Sequence, residues 1–347
     1  MTNLKKVGLT ALAGSLVAVS SASAGSLSVS GGAEMSYTAN ETNETGADTI
    51  MNANGNRFGI EKFISFNGSG ELDNGHTVSL YHGGPFGGSS SSKITYDMGD
   101  MGTLSYVDNT GDVGIGLIDD LMPSAYEEPW DGIDFNEAAA TSGVVGKVDS
   151  GQSGFNYKNT MGAATINIGY SPSGADSQVD DGGVSGVASN AHVASTPSSS
   201  SVAIQADVMD GLNVFAGFGD KGGDTSSKEY EDDHSTYGLK YTMGPVTLGY
   251  QHSEIDDNDG DGTNEDTETD ALGVAFAVNE NLTISYGYQE TEYGTGRTDQ
   301  ELTGYAIGYS MGGMTVKAQR NEGDQSVTTG STGIEVTRTE ILVGFAF

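Results

Sequence analysis

The stretch ALGVAFAVNENLTISYGYQ, residues 271–289, decides how this chain folds. Its first run sends Leu272, Val274, Phe276 and Val278 to one face and Ala or Gly to the other. After the turn NENL (279–282), the second run sets Leu282, Ile284, Tyr286 and Tyr288 against Thr283, Ser285, Gly287 and Gln289. Alternation at period two on both sides of an Asn-rich turn predicts an antiparallel hairpin.

The same unit recurs along the chain. Short turns fall at LDNG (72–75), DMGDMG (97–102), TMGA (160–163), MDGL (209–212), TMGP (242–245), NENL (279–282) and SMGG (310–313). Alternating runs flank them, as in ATINIGY (164–170), SVAIQADV (201–208), VTLGYQ (246–251) and TGYAIGYS (303–310). Strands on both sides of each turn, plus one at each terminus, come to about sixteen. Longer polar connections lie near 38–56, 83–92, 110–152, 173–199, 220–234, 255–269, 293–300 and 321–334, so short turns alternate with long loops. An even strand number with this asymmetry predicts an all-β, antiparallel up-and-down barrel of the transmembrane type. A soluble sandwich also alternates, but would gather its apolar faces into one shared core.

Composition fits export into a membrane-facing compartment. Lys5 and Lys6 precede the apolar run VGLTALAGSLVAV and then SSASA, which predicts a secretory signal peptide over residues 1–24. Residues 25–347 then form a single barrel domain. There is no cysteine, so no disulfide contributes. A formal charge of −34 argues against nucleic acid as a partner, because phosphates would repel it. Basic side chains obey the barrel's parity. Lys93, Lys158, Lys240, Lys317 and Arg338 fall on the inward positions of their strands, while Lys62 and Arg320 fall outward near the outer rim. A lipid-facing Lys or Arg at midplane would cost about 2–4 kcal/mol.

The chain resembles the general diffusion porins of the Gram-negative outer membrane, especially those of alphaproteobacteria. The matching stretches are the signal peptide, SLSVSGGAEMSY, NRFGIEKFISFNGSGELDNG and EILVGFAF. The resemblance implies a bacterial outer-membrane location among lipid and lipopolysaccharide, a homotrimer, and a third loop folded into the lumen. It also implies that the terminal aromatic, Phe347, is an assembly signal read by the barrel-assembly machinery.

That third loop, about 110–152, carries Asp112, Asp119, Asp120, Glu127, Glu128, Asp131 and Asp134. In the resembling family such a loop narrows the pore against basic residues on the opposite wall, for which Arg57, Lys93 and Arg338 are the candidates here. Opposed rows of charge would order water and admit small polar solutes over apolar ones. The excess of acid predicts cation preference. A solvated acidic surface loop is the alternative.

The sixth long loop, DNDGDGTNEDTE (257–268), fits D-x-[DN]-x-[DN]-G-x5-E, with Asp257, Asp259, Asp261 and Glu268 as oxygen ligands and Gly262 at the turn. Calcium is therefore a candidate ligand, although strands rather than helices flank the segment. Histidines at 76, 82, 192, 234 and 252 show no metal spacing, and no motif organises Ser, His and Asp for catalysis. Three classes of function follow. One is a passive channel for small polar solutes, needing no cofactor. Another is an outer-membrane adhesin or binding protein with acidic calcium-binding loops. The third is a secreted calcium-dependent solenoid, which would require repeats the chain lacks.

Overall fold

A computed structural model describes residues 25–42, 56–85, 91–108, 113–119, 121–133, 153–172, 198–222, 231–256, 266–294, 299–325 and 333–347. They form sixteen strands: β1 (Ser26–Thr42), β2 (Phe58–Glu71), β3 (Thr77–Pro85), β4 (Ser91–Asp97), β5 (Thr103–Asp108), β6 (Gly154–Met161), β7 (Ala164–Ser171), β8 (Ser199–Met209), β9 (Leu212–Gly222), β10 (Glu231–Met243), β11 (Val246–Asp256), β12 (Thr267–Asn279), β13 (Leu282–Tyr293), β14 (Gln300–Met311), β15 (Met314–Gln325) and β16 (Ile334–Ala346). Every strand pairs antiparallel with its sequence neighbours, and β1 pairs with β16, so the sheet closes on itself. Each of the seven short turns read from the sequence joins two of these strands. At four of them Gly162, Gly211, Gly244 and Gly312 take φ between 59° and 75°, which an L side chain resists.

Burial follows the alternation. On β12, Leu272, Val274, Phe276 and Val278 are exposed, whereas Ala271 and Gly273 are buried. On β14, Tyr305, Ile307 and Tyr309 are exposed in the same manner. A wall whose large apolar side chains point out and whose small or polar ones point in suits hydrocarbon outside and water inside. Several strands run past the alternating segments into polar sequence: β1 continues to Thr42 and β15 to Gln325. Above the apolar band the side-chain pattern fades, but the hydrogen-bond ladder still rewards pairing.

The seam explains the chain's apolar ending. Phe347 donates its amide to the Gly31 carbonyl at 2.9 Å and accepts from the Gly31 amide at 3.0 Å. Its ring is 82% exposed, on the outer face with Phe345 and Ile341. An apolar terminal strand is thus no free edge. It completes the ring and meets lipid.

The absence of native cysteine gives a clean test of sidedness. Val274→Cys in vesicles is expected to resist a charged thiol reagent and to react with a lipid-soluble maleimide, and Thr95→Cys to show the reverse. Val274→Arg is expected to cost about 2–4 kcal/mol of folding free energy, read by urea unfolding in vesicles.

Candidate channel constriction

The described part of the third long loop, residues 113–119 and 121–133, runs along the inner wall from β6 to β16. Inward-facing side chains hold it in sequence. Gly114 donates its amide to Asn156 Oδ1 at 3.0 Å, and Ile115 donates to Ser201 Oγ at 3.1 Å. Gln251 Nε2 donates to the Ile118 carbonyl at 3.1 Å, and the Ala125 amide to Ser285 Oγ at 2.8 Å. Asn321 Nδ2 reaches the carbonyls of Glu128 at 2.9 Å and Asp131 at 3.1 Å. Gln319 Nε2 donates to Asp131 Oδ2 at 2.6 Å.

Packing under the loop is equally specific. Ile115 and Ile118, both fully buried, join Met122, Ala203, Phe215 and Ala271 in one cluster, and Ile133 joins Leu302 and Val336 in a second. These are the barrel's apolar clusters among the described residues, and both lie between loop and wall. Glycine makes the close approach feasible. A Cβ on Gly273 would fall 2.7 Å from Pro123 Cδ, and one on Gly287 would fall 2.6 Å from Pro129 Cγ.

Where the loop reaches β16, charges converge. Glu34, Glu61, Glu127, Asp131 and Glu340 line one cavity of about 310 Å³ together with Lys317, Arg338, Tyr126, Ser36 and Leu342. Tyr126 donates its hydroxyl to Glu340 Oε1 at 2.8 Å, and Lys317 Nζ stands 4.9 Å from the centre of its ring. Burial first, and then the bond to Glu340, hold the Tyr126 phenol well above its ordinary range, so it stays a donor. Arg338 pairs through Nη2 with Glu340 Oε2, and its guanidinium packs against Gly132.

The structure therefore brings together Glu127, Asp131 and Arg338 among the residues singled out from sequence. Glu128 is buried and holds the loop through its carbonyl. Asp119 closes the short 3-10 helix Gly114–Ile118. Asp112, Asp120 and Asp134 lie outside the described residues, as do Asp257, Asp259 and Asp261. Glu268 is the second residue of β12, with its side chain on the outer face.

Two of the basic candidates sit elsewhere. Lys93 faces the lumen in a separate groove with Ser26, Ser79, Tyr81 and Thr95. Arg57 does not line the lumen. It precedes β2 at the outer rim and donates to the hydroxyl of outward-facing Tyr37 at 3.2 Å, because strand parity no longer governs a residue beyond the strand end. Arg338 shares its cavity with the loop acids rather than opposing them. Glu34, Glu61, Lys317, Glu340 and Tyr126 were missed as members of this group. Parity marks the first four as inward, but only the barrel's closure brings β1 and β2 beside β15 and β16.

The family model of the Gram-negative porin matches residues 8–316, most of the chain. The chain belongs to the Gram-negative porin family. It is an outer-membrane channel protein by that membership, and its sixteen-stranded closed barrel agrees. Solved structures similar to this porin include the outer membrane channel DcaP of Acinetobacter baumannii, at 10% identity and TM-score 0.62, over 93% of this chain and 97% of that one. OmpT of Vibrio cholerae aligns at 12% identity and TM-score 0.61, covering 94% and 99%. A variant of the Rh. blastica porin aligns at 14% identity and TM-score 0.57, covering 93% and 100%. Identities this low speak to the fold alone. No curated relative matches the porin by sequence.

The seating of the loop is directly testable. Gly273→Val is expected to lift Pro123 from the wall and open residues 113–133 to limited proteolysis. Heat-modifiable gel mobility should still report a folded barrel, and unchanged resistance to protease would show that the seat tolerates the bulk.

Proposed function

We propose that this porin passes small hydrophilic solutes and ions by passive diffusion through a water-filled lumen, with a preference for cations. One observation carries the preference: the cavity where loop meets wall holds five carboxylates, on Glu34, Glu61, Glu127, Asp131 and Glu340, against two cations, on Lys317 and Arg338. Arg338 is matched by Glu340, so the remaining field is negative. In a narrow, low-dielectric passage such a field concentrates cations and repels anions. The loop spans the lumen wall as a fixed ledge, so residues 113–133 set the narrowest passage in this reading.

Further features of the reading draw on the family. Residues 1–24 act as an export signal, and Phe347 serves as the signal recognised by the barrel-assembly machinery as well as the seam residue. The surroundings are outer-membrane lipid and lipopolysaccharide. The working unit is a homotrimer, the form of one Vibrio cholerae OmpT structure to which the chain is similar.

Reversal potentials across a planar bilayer under a salt gradient test the proposal. Cation selectivity is expected, falling as salt screens the carboxylates, and Glu61→Gln with Glu127→Gln should reduce it. Anion selectivity would reject it, and the lack of any stable open channel would reject transport itself.

A further inference from the structure

The outer face of the barrel changes character above its apolar band. On β12 the outward series Val278, Phe276, Val274, Leu272 gives way to Asp270 and Glu268. Register then sets like charges side by side: Glu254 opposite Glu268, Glu268 opposite Glu292, and Asp270 opposite Glu290. Directly opposed like charges destabilise a strand pair. Into this acidic strip β11 places one histidine.

His252 is 8% exposed. Its Nδ1 lies 3.0 Å from Asp270 Oδ1, and its Nε2 lies 3.3 Å from Glu254 Oε1 and 3.9 Å from Glu268 Oε1. A neutral imidazole carries a single N–H, so one nitrogen would aim a lone pair at a carboxylate unless a second proton or a metal ion stood between them. The surroundings select which nitrogen. Asp270 also accepts the Tyr250 hydroxyl at 2.7 Å, which orients that carboxylate toward Nδ1. The Tyr237 ring packs on the imidazole with centroids 5.1 Å apart and holds its plane.

The geometry points to a divalent transition-metal site on the outer face, with His252 Nε2, Glu254 and Glu268 as ligands. Asp270 receives the Nδ1 proton, which is the carboxylate–histidine arrangement that fixes the tautomer of a metal-bound imidazole. In a tetrahedral zinc site with bonds of about 2.0–2.1 Å, neighbouring ligand atoms stand roughly 3.3 Å apart. The 3.3 Å separation between Nε2 and Glu254 matches that spacing, and the 3.9 Å separation from Glu268 would close by a side-chain adjustment. A nitrogen ligand favours zinc-class ions over calcium, which takes oxygen. The ion would clamp β11 to β12 at the root of the sixth long loop. This site is distinct from the calcium pattern of 257–268, although Glu268 belongs to both, and is independent of transport through the lumen.

Calorimetric titration of zinc into the full chain, purified in chelator-free detergent, tests the site. One ion per chain is expected. Affinity should fall at least tenfold in His252→Ala and in Glu268→Gln, and stay unchanged in Glu335→Gln, which lies elsewhere on the acidic face. Asp270→Asn keeps all three ligands, so it serves if His252→Ala fails to assemble, and should weaken zinc about 10–100-fold. Cobalt should give a visible absorption band that His252→Ala removes. Replacing Asp257, Asp259 and Asp261 together by Asn should leave zinc binding intact. The proposal is overturned by any of four results: no saturable binding, equal binding by His252→Ala, loss on changing the three loop aspartates, or calcium held more tightly than zinc.

Discussion

A strand that crosses hydrocarbon carries amide and carbonyl groups that water cannot reach, and each one left unpaired costs several kcal/mol. The whole architecture answers to that cost. Sixteen strands pair in order, and β1 meets β16, so neither edge is left open among the described residues. Side-chain choice then becomes almost free on the lumen side, where water satisfies polar groups, and narrow on the lipid side, where only apolar and aromatic groups settle. The chain uses this freedom to line its inner wall with Gly, Ser, Thr, Asn and Gln.

That inner lining does more than tolerate water. Glycines at the loop's closest approaches leave bare backbone for Pro123 and Pro129, and amides from Gln251, Gln319 and Asn321 grip the loop's carbonyls and Asp131. The buried apolar clusters form beneath the loop and nowhere else among the described residues. A barrel filled with water cannot have a conventional core. Here the loop and the wall make one between them, and the charges at its far end are held by the same packing.

The strands, turns and facing of the wall were legible because each depends on immediate neighbours. Alternation at 271–278 and 282–289 reads the same with or without the rest of the chain. The site was legible only in part. Asp131 was marked by its place in an acidic loop, but its partner Gln319 lies 188 residues away, and the Tyr126–Glu340 bond spans 214. No local pattern carries such distances. Arg57 was a candidate through the family resemblance alone, and no alternation marks a residue that precedes its strand and bonds to Tyr37. His252 showed no metal spacing along the chain, since its neighbours Glu268 and Asp270 reach it across a strand pair.

The seam between Gly31 and Phe347 also constrains how the molecule comes into being. The closing pair joins β1 to β16, the first and last strands of the ring, so it can form only after every strand between them has been made. Until then the growing wall has two raw borders, each a template for stray pairing with another chain. A polypeptide built this way has to be kept apart from its copies until β16 is free to find β1.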